Sequence, residues 1–324
     1  MKASNIWLIG AGAMAVDYVK VLDAMGSAIT IIGRREASAL RMQEKFGLPV
    51  FAGGLESFLA TKPVLPDAAI VAVGVEGLAS VATQLLDAGV KRVLLEKPGA
   101  LHYLELLALH EKAESLKAEI VIGYNRRMYA AVLAAQKMIE EDGGVQSMYF
   151  EFTEWGHVIE GLSKAPGVKE AWLLGNSTHV IDLAFYLGGN PVELNTLNSG
   201  SLSWHPSSAV FAGSGRTDRG VLFSYQANWD APGRWGVEVL TRQRRFIFRP
   251  METLQIMKRG SVAIETVAID NDDEKAFKPG LYRQVEKFLA KDADIGLCSL
   301  EEQLGRWPIY EKIAGYNSMD SIVA

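Results

Sequence analysis

The stretch Gly10-Ala11-Gly12-Ala13-Met14-Ala15 constrains this chain more than any other. It fits G-x-G-x-x-G/A and stands between the apolar run Ile6-Trp7-Leu8-Ile9 and a helix-length segment ending near Met25. In that setting the first glycine permits a tight strand-to-helix turn. The second lets backbone approach a pyrophosphate, and a small third residue, here Ala15, lets the helix pack close to the strand. The unbonded N–H groups of the helix start then face the phosphates. Gly10, Gly12, Ala13 and Met14 are therefore expected to touch a dinucleotide. A glycine-rich turn with no ligand has the same letters, but the strand before this one and the helix after it supply the context the motif needs.

The runs Ala28–Ile32, Ala69–Val73, Arg92–Leu95 and Glu119–Ile122 continue the pattern, each next to a helix-length segment. Continuously apolar strands that alternate with helices predict a parallel sheet covered on both faces. A Rossmann domain is expected over residues 1–122. The pattern changes after about Gly123. Met148, Phe150 and Phe152 alternate with Tyr149, Glu151 and Thr153. Val221, Phe223, Tyr225, Ala227 and Trp229 alternate with Leu222, Ser224, Gln226, Asn228 and Asp230. One apolar and one mostly polar face predict an antiparallel sheet. Residues 123–324 are read as an α+β domain with a large, open, mostly antiparallel sheet, interrupted by helices at Lys169–Leu187 and Leu281–Ala290. A length of 324 residues suits two domains. The outer face of the 221–229 strand is mixed enough to meet a symmetric partner, so a homodimer or homotetramer is expected.

The ribose end of the dinucleotide is read from the second strand, which closes Ile31-Ile32-Gly33-Arg34-Arg35-Glu36. An acid at its end would bind the 2′-hydroxyl; here Gly33 stands at that place, followed by two arginines. Guanidinium groups suit a 2′-phosphate. NADP(H) is therefore expected over NAD(H). On the other reading, Arg34 and Arg35 are a solvated helix start and Glu36 takes the ribose, which leaves NAD(H) possible.

Other classes are disfavoured. A net charge of −5 argues against nucleic acid, which needs a basic face. The single cysteine, Cys298, allows no disulfide within the chain and suits a reducing cytosol. Met1-Lys2-Ala3-Ser4 leads straight into a strand without a signal-peptide cleavage site, and no apolar stretch is long enough to span a bilayer. A cytoplasmic protein with no membrane partner is expected. No Cys/His cluster has zinc spacing, so no metal is expected.

Leu94-Leu95-Glu96-Lys97-Pro98 ends a strand of the first domain, and Gly123-Tyr124-Asn125-Arg126-Arg127 follows a later one. With the turn at Gly10, these motifs resemble the glucose-fructose oxidoreductase / inositol dehydrogenase / rhizopine catabolism (Gfo/Idh/MocA) family over nearly the whole chain. The resemblance implies hydride transfer between NAD(P) and a hydroxyl or keto carbon of a sugar, sugar nucleotide or cyclitol. It also implies a cis peptide before Pro98.

Lys97 makes chemical sense apart from the family. Taking hydride from a carbinol requires loss of the hydroxyl proton, and a cation beside that oxygen stabilises the developing alkoxide. The carboxyl end of a parallel strand is where ligands bind, and Glu96 and Lys97 are read as lining the cofactor there. A lone lysine at a strand end would otherwise be read as solvated. His179 and Asp182 stand three apart in a helical stretch and so share a face. The resemblance makes this the family's histidine and aspartate pair, with the histidine as acid/base. An imidazole with a pKa near about 6.5 suits that role, and Asp182 would orient the ring or bind a hydroxyl. A helical histidine beside a carboxylate, with no chemistry, is the bland alternative.

The chain departs from the family where many members carry an aspartate four residues before the histidine; Gly175 stands there, followed by Asn176. Asn176 either binds substrate or caps a turn. Val73-Gly74-Val75-Glu76 replaces the usual Pro…His after the fourth strand. Tyr124, Asn125, Arg126 and Trp155 complete the expected substrate contacts. Arg126 and Arg127 bind a phosphate or carboxylate, or pair with acids between the domains, and His157 is a further acid/base candidate. Three alternatives stand beside hydride transfer to free substrate. They are a redox-neutral epimerase or eliminase with retained cofactor, a dinucleotide-binding protein without chemistry, and an imine or open-tetrapyrrole reductase.

Overall fold

The computed structural model describes residues 4–290 and 296–316; Met1, Lys2 and Ala3 of the N-terminal reading lie outside them. The described residues divide into two compact units. One runs to Asn125 and takes back Asp273–Leu304; the other is Arg126–Asp272 with the chain from Gly305 onward. The division therefore falls close to residue 122, but the chain crosses it more than once. The helix Leu281–Ala290 belongs to the first unit, not the second. Its buried positions Leu281, Val285 and Phe288 join the core of the first sheet. Periodicity shows that a helix has a face to bury, not which sheet will cover it.

The first sheet holds β1 (Asn5–Ile9), β2 (Ala28–Gly33), β3 (Val50–Ala52), β4 (Ala68–Val71), β5 (Arg92–Leu95) and β6 (Glu119–Ile122). They pair in parallel in the order β6-β5-β4-β1-β2-β3, and the two-residue strand Cys298–Ser299 pairs antiparallel to β6. Leu8 stands opposite Ile31 on one side and Ile70 on the other. Helices cover both faces, so these residues are fully buried, and the strands read as unbroken apolar runs. The order reverses beside β1, which is the place where doubly wound sheets bind ligands.

The second unit is built on β7 (Ser147–Glu151), β8 (Pro191–Ser199), β9 (Val210–Thr217), β10 (Leu222–Asn228), β11 (Gly236–Leu240), β12 (Arg244–Phe248), β13 (Gln255–Lys258) and β14 (Ile264–Thr266). The order is β14-β13-β12-β11-β7-β10-β9-β8, antiparallel except where β10 pairs in parallel with β7. The alternation expected for β10 holds: Phe223, Tyr225 and Ala227 are buried, while Leu222, Ser224 and Gln226 are exposed. Phe150 of β7 stacks on Tyr225 at 5.3 Å and meets Phe185 edge-on at 5.6 Å. These rings pin the helix Thr178–Gly188 to the sheet.

That helix is shorter than its sequence implied. Residues 166–171 are turns, Leu173–Ser177 is a π-helical turn, and the α-helix starts at Thr178 rather than near Lys169. A π turn widens the backbone by one residue and re-aims the side chains on it, and such turns recur at functional sites. Asn176 and Ser177 lie on it.

Candidate functional site

In the first unit, Gly10 has φ +127, and a Cβ there would fall 2.2 Å from the carbonyl oxygen of Ala72, just past the end of β4. Only glycine lets the chain turn this close to that carbonyl. Gly12 differs. It precedes the helix Ala13–Ala24 with no side-chain cap, and a Cβ on it would meet nothing within 4 Å. The N–H groups of Ala13 and Met14 start this uncapped helix. Open space in front of Gly12 and donors behind it fit a bound pyrophosphate.

Gly33 ends β2, where an added Cβ would lie 3.1 Å from that of Ala11. A larger side chain at this position would need the turn to give by a few tenths of an ångström. Arg34 and Arg35 are exposed, and neither forms an ion pair among the described residues. Glu36 opens the following helix.

Lys97 stands two residues past the end of β5, and its peptide to Pro98 is cis, as the resemblance implies. The Pro98 carbonyl accepts a hydrogen bond of 2.9 Å from Gln303 Nε2, which holds the turn. Glu96 accepts a 2.7 Å bond from the Tyr18 hydroxyl, which accepts in turn from Gln284 Nε2 at 3.3 Å. Burial pushes the Glu96 carboxyl up from its ordinary range; the Tyr18 bond and the charge of Lys97 pull it back. Burial, with Glu96 adding to it, raises the Tyr18 phenol. Tyr124 is buried, and Asn125 donates its amide to the Pro279 carbonyl at 2.9 Å. That bond gives Asn125 a structural task in place of one of its expected substrate contacts.

In the second unit, His179 is buried with its ring centroid 6.2 Å from that of Trp235. Asp182 is not hydrogen-bonded to His179. Its carboxylate receives Arg127 Nε at 2.8 Å and Nη2 at 2.5 Å, and Arg306 Nη1 at 2.7 Å. Helical spacing brought the two residues to adjoining positions, but two buried guanidinium groups claimed the acid. Arg127 therefore pairs with an acid of its own unit.

Asn176 Nδ2 and Ser177 Oγ both donate to Oε1 of Glu154, at 2.9 and 2.7 Å. Arg126 lies 4.8 Å over the Trp235 ring and 5.9 Å over Tyr129. Arg234 lies 4.7 Å over Trp155 and 5.7 Å over Trp235. Trp155 is 49% exposed and donates Nε1 to the Gly233 carbonyl at 3.2 Å. His157 is exposed on the short helix Gly156–Glu160, with none of these groups bonded to it.

Glu154, Arg234, Trp235 and Arg306 were absent from the sequence reading. None of the four carries a signal in the sequence, since each is defined only by what folds against it; Glu154 is buried just past the end of β7.

Among the described residues, no group of three His, Cys, Asp or Glu side chains could hold a metal ion, and no helix is long and apolar enough to cross a membrane.

Residues 4–124 match the model of the GFO_IDH_MocA oxidoreductase family, described by its NAD-binding Rossmann fold. These residues belong to that family. No curated protein matched the chain. Among solved structures, a levoglucosan dehydrogenase in complex with NADH and L-sorbose is 20% identical, with a TM-score of 0.78 over 97% of this chain and 96% of its own. UDP-N-acetylglucosamine 3-dehydrogenase GnnA from Acidithiobacillus ferrooxidans is 18% identical, with a TM-score of 0.76 over 98% of each chain. A dehydrogenase from Chromobacterium violaceum is 15% identical, with a TM-score of 0.79 over 100% of this chain and 97% of its own. Likeness at these identities establishes a shared two-unit fold, an α/β architecture with one mostly parallel and one mostly antiparallel sheet.

Proposed function

We propose that the chain is an oxidoreductase that moves hydride between NADP(H) and a hydroxyl or keto carbon of a sugar, sugar nucleotide or cyclitol. The observation that carries this reading is the pairing of an open, uncapped Gly12 turn with Lys97 at the carboxyl end of β5, on one sheet of the Rossmann type. The similar structures named for sugar dehydrogenases support the substrate class.

Gly12, Ala13 and Met14 would hold the pyrophosphate, and Gly33, Arg34 and Arg35 the adenosine ribose with its 2′-phosphate. The bound nicotinamide supplies the hydride acceptor or donor. Lys97 holds its ammonium group beside the substrate oxygen and stabilises the alkoxide as the proton leaves. The Glu96 carboxyl next to it is anchored by Tyr18, which fixes the local charge against which Lys97 works. His179 is the candidate to exchange the substrate's proton with solvent. Asp182 serves this helix through Arg127 and Arg306. Trp155 offers an exposed indole face of the kind sugars stack on.

The outer face of the second sheet is the candidate self-association surface. Leu222 on β10 and Leu197 on β8 are 61% and 75% exposed there. A homodimer or homotetramer is expected, and a monomeric mass by light scattering at micromolar concentration would exclude it. The one cysteine, Cys298, is buried and has no second cysteine in the chain to pair with, which supports a reducing cytoplasmic setting.

The test is a screen of NADP+ and NAD+ reduction over sugars, sugar nucleotides and inositols, with the reverse reaction on their keto forms. Turnover of one such compound that Lys97→Met removes is the expected result. Silence across the set in both directions, with dinucleotide still bound, would overturn the reading.

A further inference from the structure

Arg126 leaves a hydrogen-bond account open. It lies at the 3-10 turn that enters the second unit, sandwiched by the rings of Trp235 and Tyr129. Its Nε is buried with no partner, and no ion pair or hydrogen bond holds its guanidinium among the described residues. A guanidinium carries five donors in a fixed fork, and withdrawing even one of them, here Nε, from water without an acceptor is costly. The buried acid Glu154, whose charge acts on Arg126, forms no hydrogen bond to it; its Oε1 accepts from the neutral donors Asn176 and Ser177. Burial pulls the Arg126 guanidinium down from its ordinary value; Tyr129, Glu252 and Glu154 hold it up, and Arg234 repels it.

Arg234 sharpens the point. It reaches over the same indole as Arg126, and it too has no ion pair among the described residues. Two like charges brought to one ring repel unless something negative stands between them. A hydroxyl accepts a hydrogen bond but adds no negative charge beside the two cations. A carboxylate or phosphate offers two oxygens in the geometry of the guanidinium fork and cancels the repulsion as well. The same indole borders His179, 6.2 Å away by ring centroids, so a group held here is close to the proposed acid/base. Trp155 lies on the other side of Arg234 and leaves half its surface open to a sugar ring.

We infer that Arg126 and Arg234 together bind an anionic group of the substrate, a carboxylate or a phosphate monoester, at the Trp235 indole. The substrate class narrows from sugars in general to acidic sugars. This rests on the reading of the second unit as the substrate-binding one.

The experiment titrates the NADPH-loaded protein by calorimetry with D-glucose, D-glucuronate and D-glucose 6-phosphate, and repeats each titration with Arg126→Gln, Arg126→Lys and Arg234→Gln. At least one anionic sugar should bind about tenfold tighter than glucose, and whichever arm wins distinguishes carboxylate from phosphate. Arg126→Gln should remove that advantage, Arg126→Lys should restore part of it, and Arg234→Gln should reduce it. Glucose bound as tightly as both anions, no saturable binding of either anion, or an advantage unchanged in Arg126→Gln would each overturn the inference. Circular dichroism and NADPH affinity check that each variant is folded. Hydride transfer is read separately from NADPH absorbance. An intact anion preference without turnover counts against the proposed reaction and leaves the anion site standing.

Discussion

Arg127 and Asp182 meet as a two-point pair, Nε on Oδ2 at 2.8 Å and Nη2 on Oδ1 at 2.5 Å, with both side chains almost wholly buried. Arg306 adds a third bond to Oδ1, and its Nε is held by Asn190 Oδ1 at 3.0 Å. One carboxylate thus balances two guanidinium groups beneath the helix that carries His179. Removing the carboxylate takes from two buried cations the acid that they share. Asp182→Ala should therefore cost about 3–5 kcal/mol of stability, and Asp182→Asn less. Urea denaturation checks this. An Asp182→Ala protein as stable as the parent would mean that the acid has some other task.

The two glycines of the turn should respond oppositely to a methyl group. Gly10→Ala places a Cβ against the Ala72 carbonyl at a φ that L residues avoid, so the first unit should lose stability. Gly12→Ala puts its methyl into open space at an ordinary φ of −91, so the fold should survive. That space is where a pyrophosphate would approach. Dinucleotide affinity should fall by about tenfold or more in Gly12→Ala while the melting temperature of the apoprotein stays within a few degrees. Equal binding in parent and variant would show that the turn holds no phosphate.

Coenzyme choice should follow Arg34. In fluorescence titrations NADPH should bind tighter than NADH, and Arg34→Ala should weaken NADPH by about tenfold with little change for NADH. A parent that prefers NADH would shift the ribose contact to Glu36.

The first sheet was legible because a strand buried on both faces has nowhere to place polar residues. Ile6–Ile9 and Arg92–Leu95 declare themselves for this reason. The β10 alternation declared itself as directly, since only one of its faces is covered. The start of the His179 helix was not legible. On its π turn at Leu173–Ser177, Asn176 and Ser177 are bonded to Glu154, a partner 22 residues from Asn176 in sequence. The fate of Asp182 was hidden in the same way, because spacing along a helix says which residues are neighbours but not which distant arginines will compete for them. Lys97, by contrast, is placed by the end of its own strand, which is local information.

The stability of the second unit should depend on pH through His205. Its Nδ1 lies 2.6 Å from the Ser208 carbonyl, which can only accept, so the proton sits on Nδ1. Nε2 then accepts from the Tyr316 hydroxyl at 2.9 Å, and that hydroxyl accepts the Leu173 N–H at 3.3 Å, at the start of the π turn. Burial lowers the His205 pKa from its ordinary 6.5. The folded state therefore binds fewer protons than the unfolded chain just below that value. The neutral ring's contribution is complete above pH 6.5 and is lost as pH falls through the lowered folded value. The parent should lose stability in that window more steeply than His205→Gln, as read by urea midpoints across the range. Parallel curves would remove His205 from the acid response.

Lys97 and His179 should separate by what each does to turnover. Lys97 follows β5 at the carboxyl edge of the first sheet, where a bound nicotinamide is expected, and its ammonium is proposed to face the substrate oxygen. Methionine keeps the length of the side chain and removes the charge. Lys97→Met should therefore keep NADPH affinity and lose about a hundredfold or more in kcat, the range for one electrostatic or acid–base group. His179 is proposed to carry the proton onward. His179→Ala should lower kcat by a smaller factor and change the pH profile of kcat, because a proton-transfer group has been removed. The readouts are kcat, KM and their pH profiles with a substrate from the screen, alongside NADPH titrations of each variant. Loss of NADPH binding in Lys97→Met would show that the residue holds the cofactor rather than the alkoxide. Near-normal turnover in Lys97→Met would leave the Gly10–Gly12 turn as a dinucleotide site and place the chemistry elsewhere in the chain.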